Sequence, residues 1–404
     1  MEVVLLTPDP KASISDLANR SDVVRMKEYL ASNHDWVVDE IVNICEIPAP
    51  SYEEDERARY VAEKFEELGL KDVRVDRYKN AVGRYPGEDG VVRMAITAHI
   101  DTVFPMHTDV TVKRSDDLLS APGIGDNSTS TAAMLGVIAA WNAVDYTPPF
   151  DVIFSGNACE EGLGDLNGMK GLLDDIAALD DADLGAVVAF DGKMGGITSA
   201  GIGSRRLKVD VSARGGHSWG DFPSPSAIHA LGACVNDIAR LSVPEEPRTS
   251  FNVGTIQGGT SVNTIAETAS MLIDMRSEAL EPLRDVEEKV RDIIDQRCAE
   301  FGAEFDIEVV GDRPVGAIGD DHPLVDIARQ AGGLFDMDMP TRASSTDANV
   351  PLSRGIPAIT LGVYSGEGAH RESESMIPSS LKTGLPLAVL VTVGAADWLA
   401  SELG

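Results

Sequence analysis

Hydrophobic positions along the chain change their spacing near Ser204 and again near Pro314. From about Val23 to Leu70 they recur at helical intervals, as in Ile41, Val42 and Ile44 and later Val61, Phe65 and Leu68. Pro48 and Pro50 interrupt this stretch, and Ser51-x-x-Glu54 has the form of a capping box opening the second helix. From Val91 to Gly192 short apolar runs alternate with helical segments, of which Ser130 to Val144 is the clearest, closed by Pro148-Pro149. Strands alternating with helices predict a parallel sheet covered by helices. Beyond Ser204, Leu207-Lys208-Val209-Asp210-Val211 alternates apolar and polar residues, as a strand with one wet face does. A helix over Ser226–Leu241, strands over Thr249–Ile256 and Thr268–Arg276, a helix over Leu283–Phe301 and a strand over Glu304–Val310 follow. That β-α-β-β-α-β order is ferredoxin-like. After Pro314 helix–strand alternation returns and runs to a terminal helix at about Leu387–Leu399. The expected architecture is α/β: a discontinuous domain over 1–203 and 315–404, with a mostly parallel sheet, carrying an inserted ferredoxin-like α+β domain over 204–314.

Length agrees, because 404 residues exceed one ordinary core. Lys+Arg of 34 against Asp+Glu of 66 leaves a net charge of −32, which repels phosphate backbones and disfavours nucleic-acid partners. No apolar run approaches the ~20 residues that span a bilayer, and Met1 to Pro8 lacks the basic start and cleavage pattern of a signal peptide, so no membrane partner is expected. Cys45, Cys159, Cys234 and Cys298 are scattered without a C-x-x-C pair, which reads as reduced thiols in the cytoplasm.

Chemistry concentrates just after the apolar runs. Arg93–Thr97 leads into His99-Ile100-Asp101, Phe150–Phe154 into Glu160-Glu161, Ala186–Phe190 into Asp191, and Pro357–Leu361 precedes the Gly-rich loop carrying His370. Asp126 sits in Gly123-Ile124-Gly125-Asp126-Asn127, ahead of the Ser130 helix, where capping that helix is the simpler role. Two adjacent glutamates after a buried strand crowd negative charge into a poorly hydrated place, which a cation compensates. Imidazoles and carboxylates together suit a borderline metal such as zinc. Singly, each has an ordinary reading as a surface or loop residue. Jointly they fall where open α/β sheets bind ligands, outside the carboxyl ends of the strands.

The series Thr97-Ala98-His99-Ile100-Asp101-Thr102, Gly125-Asp126-Asn127, Glu160-Glu161-Gly162, Asp191-Gly192 and Gly368-Ala369-His370 resembles the M20 metallopeptidase and deacylase family over essentially the whole chain. The resemblance implies two divalent metal ions, zinc or alternatively manganese or cobalt, bridged by Asp126. His99 and Asp191 would complete one site, Glu161 and His370 the other. Glu160 would be the general base forming a metal-bound hydroxide, Asp101 would orient His99, and the peptide bond after Asp126 would be cis. The inserted domain would act as lid and dimerisation unit. Its His217, in Gly215-Gly216-His217-Ser218, would stabilise the oxyanion, often in the partner subunit's site, and Asn263 and Arg276 would hold a substrate carboxylate. Ser344-Ser345 departs from the family, many members of which carry glycines there.

The implied function is amide hydrolysis of small peptides by a homodimer, with the Ser345-Thr346-Asp347-Ala348 segment most like tripeptidase-type members. The alternative is deacylation of N-acyl amino acids, as in acetylornithine or succinyl-diaminopimelate substrates. A remote alternative is a serine hydrolase, since Gly216-His217-Ser218-Trp219-Gly220 fits G-x-S-x-G and Ser218, Asp347 and His370 follow in suitable order. Pro223 and Pro225 oppose the helix that such an elbow needs.

Overall fold

A computed structural model of the chain describes residues 13–403. These divide into two compact units, one built from residues 13–200 and 317–403, the other from Gly201–Gly316.

The first unit is organised by a nine-stranded sheet. Its leading strands lie in the order Lys71–Val75, Ala81–Tyr85, Asp151–Asn157, Val92–His99, Ala182–Phe190, Ala358–Leu361 and Ile197–Gly201. The sheet is mixed. Its centre, from Asp151–Asn157 to Ala358–Leu361, is parallel, and the flanking pairs are antiparallel. Val152, Phe154, Met94, Ile96, Val188 and Ile359 lie in one core with the helices, which explains the unbroken apolar runs. The helix Ser130–Ala143 is buried on nearly every side, and Trp141 there meets Tyr85 and Phe154 edge-on at centroid separations of 5.2 and 5.5 Å. Such contacts add roughly 0.5–1.5 kcal/mol each beyond area burial and set the helix against the strands that carry the chemistry.

Two local expectations change. Ser51 does not cap a helix: the helix Asp55–Glu67 begins after Glu54, without a side-chain cap, because Ser51 and Glu54 are bonded elsewhere. The terminal helix runs Leu381–Leu403 through Pro386, and Pro378–Leu403 is long and apolar enough to cross a bilayer by length and composition. Reading run by run missed it because Lys382 and Pro386 interrupt the apolar string. Most of it is buried in the core of this unit, with Leu385, Leu387, Val389 and Val393 fully covered.

The second unit is a four-stranded antiparallel sheet in the order Thr249–Gly258, Thr268–Ser277, Gly203–Ser212, Glu304–Arg313. In chain order this is 2-3-1-4, the ferredoxin-like arrangement. Helices Ala227–Ile238 and Leu280–Phe301 cover one face, against which Leu207, Val209 and Val211 are buried, while Lys208 and Asp210 point to the other.

Candidate metal centre

Parallel pairing decides the geometry of the first unit. Within it His99 is opposite Asn157, Thr97 is opposite Ala189, and Leu361 is opposite Phe190, so four strands end at one edge of the sheet. Three of them deliver a candidate ligand within a few residues of their ends, and the fourth leads to His370 nine positions beyond Leu361. His99 closes its strand. Glu160 and Glu161 follow a turn through Cys159, and Asp191 comes directly after Phe190. His370 hangs on the loop between the short strands Ser365–Glu367 and Ser375–Ile377.

Asp126 is the hinge of the arrangement. It is not a helix cap: it lies in an irregular turn with φ −102° and ψ 91°, and the Asp126–Asn127 peptide is cis, as the resemblance implies. Its Oδ1 lies 3.0 Å from His99 Nε2, and Asp191 Oδ1 is 3.8 Å from the same nitrogen. Its Oδ2 lies 3.2 Å from His370 Nε2, which is 2.9 Å from Glu161 Oε1. One carboxylate therefore faces two donor groups, His99 with Asp191 and Glu161 with His370. Glu160, 5% exposed, stands beside them, its carboxylate within 4.8 Å of donor atoms on His99 and Glu161.

The charges of these groups are strongly perturbed. Burial by itself would lower the His99 pKa, but Asp101, Asp126 and Asp191 more than offset it and hold it well above the ordinary imidazole value. Hydrogen bonds that its ring donates to the Asp126 and Glu161 carboxylates raise His370 to about 10. Burial would raise Asp126, but the two imidazoles hold it well below the carboxylate range. Burial dominates at Glu161 and raises it. Without an ion, protons on the imidazoles are what offset these carboxylates. Asp126 Oδ1 is buried with His99 Nε2 3.0 Å away yet makes no well-aligned hydrogen bond, as suits an oxygen that shares a cation with that ring. The donor set of imidazole and carboxylate fits two divalent ions sharing Asp126.

A metal needs both imidazoles neutral, so it competes with protons held to unusually high pH. Uptake at pH 7 is accordingly expected to release protons from His99 and His370, and affinity to rise as pH increases toward 10. Titration calorimetry in buffers of different ionisation enthalpy counts those protons; uptake without proton release would contradict the protonated imidazoles.

Several supports were invisible in the sequence. Asp101, fully buried, accepts the Glu160 N–H through Oδ1 and the Glu161 N–H through Oδ2, both at 2.9 Å, and the Ser51 hydroxyl at 2.6 Å. Burial would raise its pKa, but His99, Ser51 and the Glu161 N–H bring it below the usual value. His99 Nδ1 is 3.2 Å from the Asp101 carbonyl and 3.5 Å from its carboxylate, so the backbone of Asp101 is the nearer partner of the ring. Glu54 accepts N–H groups of Tyr52 and Cys159, on the turn leading into the two glutamates. Asn157 donates to Asp347, whose carboxyl burial pushes up to about 6. Asp101 and Asp347 stood within the sequence motifs and Ser51-x-x-Glu54 had the form of a cap, but the partners these side chains hold were not legible from them.

A match to the peptidase family M20/M25/M40 model spans residues 95–391, from before His99 to beyond His370. The chain belongs to that family. It is a hydrolase. Among its relatives, a succinyl-diaminopimelate desuccinylase of Corynebacterium glutamicum is 25% identical over 366 residues, covering 86% of this chain and 95% of the other. A tripeptidase of Staphylococcus aureus shares the fold with a TM-score of 0.74 at 21% identity, covering 90% of this chain and 99% of the other. A peptidase of Bacillus subtilis described as dinuclear and metal-binding does so with a TM-score of 0.66 at 18% identity, over 90% and 98%.

In the second unit of this M20 chain, Gly216-His217 pairs with Thr264-Ile265, and the Ser218 N–H donates to the Asn263 carbonyl at 3.0 Å, which brings His217 and Asn263 together. His217 Nδ1 accepts the N–H groups of Trp219 and Gly220, each at 3.2 Å, so its neutral ring carries the proton on Nε2. No helix follows Ser218; the next one begins at Ala227, so the serine elbow is not formed. Arg276 bonds Asp274 and lies at the far end of the strand whose near end, Thr268, follows the His217 ribbon. Eight residues of strand separate those ends, about 26 Å at ~3.3 Å per residue.

Proposed function

We propose that this M20 enzyme cleaves the amide bond of small peptides with two divalent ions, zinc being the ion best suited to the ligand mix and manganese or cobalt the alternatives. His99, Asp126 and Asp191 would hold one, and Asp126, Glu161 and His370 the other. The observation carrying this reading is the Asp126 carboxylate, each of whose oxygens faces a separate donor group. Bound ions supply Lewis acidity toward the scissile carbonyl and make a nearby water acidic. Glu160 would take one proton of a water as its oxygen adds to the scissile carbonyl carbon, and pass that proton to the amine nitrogen as the C–N bond breaks, leaving a carboxylic acid and a free amine, a base-then-acid role suited to a carboxylate beside the candidate ligands. The Nε2–H of His217 donates to the developing oxyanion, and Asn263 and Arg276 hold the substrate carboxylate. The four cysteines are free and buried, which supports a reducing, cytoplasmic setting.

A second reading, N-acyl amino-acid deacylation, has the desuccinylase relative in its favour. A panel of di- and tripeptides beside N-acetyl and N-succinyl amino acids, with chelator and zinc add-back, tests both. Turnover of peptides, abolished by chelator and restored by metal, is expected. Preference for the acyl substrates would transfer the assignment to the second reading, and chelator-insensitive turnover would remove both.

Within one copy the ribbon that carries His217 and Asn263 lies at the opposite end of the strand Thr268–Ser277 from Arg276, which supports a homodimer in which the His217 ribbon serves the partner's site. Co-expression of Glu160→Gln and His217→Ala chains is then expected to restore about a quarter of wild-type activity, since random pairing makes half the dimers mixed and each has one complete site. Activity no higher than in either variant alone would place His217 in its own subunit's site.

A further inference from the structure

Glu374 takes no part in the chemistry above, yet its carboxylate is 1% exposed. Oε2 accepts the N–H of Gly123 at 2.9 Å, and Oε1 accepts those of Gly125 at 3.1 Å and Asp126 at 2.8 Å. Three backbone donors of one turn converge on one anion, which replaces the water these groups lose on burial, while the intervening Ile124 N–H donates to the Ala121 carbonyl. The fit is close: a Cβ on Gly125 would stand 2.4 Å from the Tyr364 hydroxyl and 2.8 Å from Glu374 Oε1, so only glycine lets the turn wrap the carboxylate.

The other end of Glu374 belongs to the His370 loop. Its N–H donates to the Arg371 carbonyl at 3.0 Å, Arg371 N–H donates to the Gly368 carbonyl at 3.0 Å, and its own carbonyl accepts the Ala121 N–H at 3.1 Å. Glu374 closes the loop at its base, directly before Ser375 pairs with Ser365–Glu367 and Leu118–Ser120. His370 itself is 54% exposed at the side chain and has φ 65°, so its place follows from the loop backbone rather than from packing around the ring.

We propose that Glu374 is a positioning residue that sets the span between Asp126 and His370, and thereby the affinity for the ion these two share. It rests on the two-metal reading above. Asp126 and His370 lie 244 positions apart in the chain, and each is carried by a turn that projects beyond the strands; the Glu374 side chain ties one turn to the other. The ion between His99 and Asp191 depends on strand ends and is less sensitive to this tie.

The test is Glu374→Gln, which retains size but presents an NH2 to a site lined with donors, so at least one N–H is left without an acceptor. Glu374→Asp, too short to reach all three N–H groups, is the second variant should the first not fold. Glu372→Gln, on the same loop but exposed, is the control. Zinc is titrated into metal-free protein against a chromophoric chelator. Wild type and the control are expected to take two ions; Glu374→Gln should bind one of them roughly 10–100-fold less tightly with the other changed far less, as loss of an orienting partner does. A role limited to stability would lower the melting temperature and leave both affinities equal to wild type, and that result overturns the proposal. Fewer than two ions in wild type would overturn the two-metal reading and this inference with it, whereas two ions in wild type and unchanged affinities in the variants would remove the inference alone.

Discussion

Glu160→Gln is expected to lower kcat by about 10²–10⁴-fold, the usual contribution of a positioned acid–base group, with KM nearly unchanged and two ions still bound. The substitution is nearly isosteric, and the turn that carries residue 160 is held through its backbone N–H by Asp101, a bond the change leaves intact. The experiment also separates two roles the geometry allows. His99, Glu160 and Glu161 together form a group able to hold an ion, so Glu160 could be a ligand instead of the base. A ligand lost to glutamine would show as metal released or weakened; a base lost would show as a slow enzyme with full metal content. Steady-state kinetics beside metal analysis of the same sample decide between them.

Asp126→Asn is expected to be more damaging, lowering activity by about 10³-fold or more and cutting the metal content below two. An asparagine keeps one acceptor oxygen and turns an NH2 toward one of the two donor groups, so at least one ion loses its bridge. Several kcal/mol of Lewis-acid stabilisation go with that ion, and each ~1.4 kcal/mol is a decade in rate. Added zinc should raise the melting temperature of wild type by mass action, since only the folded chain assembles the site, and that rise should shrink in the variant. A variant with two tightly bound ions and near-normal turnover would sink the bridging role of Asp126.

Much of this was written along the chain. Continuous apolar runs marked the central strands, because a strand buried on both faces admits few polar residues, and alternation at Leu207–Val211 marked a sheet wet on one side. The candidate ligand residues stood out because chemistry in an open α/β fold sits just past the strands, a place that sequence order specifies. The second unit was likewise legible from element order alone.

What only the tertiary structure decided is the support beneath those ligands. Ser51 and Glu54 look like a helix start, yet one bonds Asp101, fifty positions away, and the other Cys159, 105 positions away. Glu374 reads as one more acid in Arg371-Glu372-Ser373-Glu374, while its buried neighbour bonds reach the turn at Gly123–Asp126. Asp101, expected to steer His99, spends its carboxylate mainly on the N–H groups of Glu160 and Glu161. The physical reason is common to all three. Periodicity reports which face of a local element is covered, and side-chain type reports which residues can do chemistry. A buried carboxylate held by backbone N–H groups leaves neither mark, since almost every residue carries an N–H, and which of them converge on one oxygen depends on how distant turns pack.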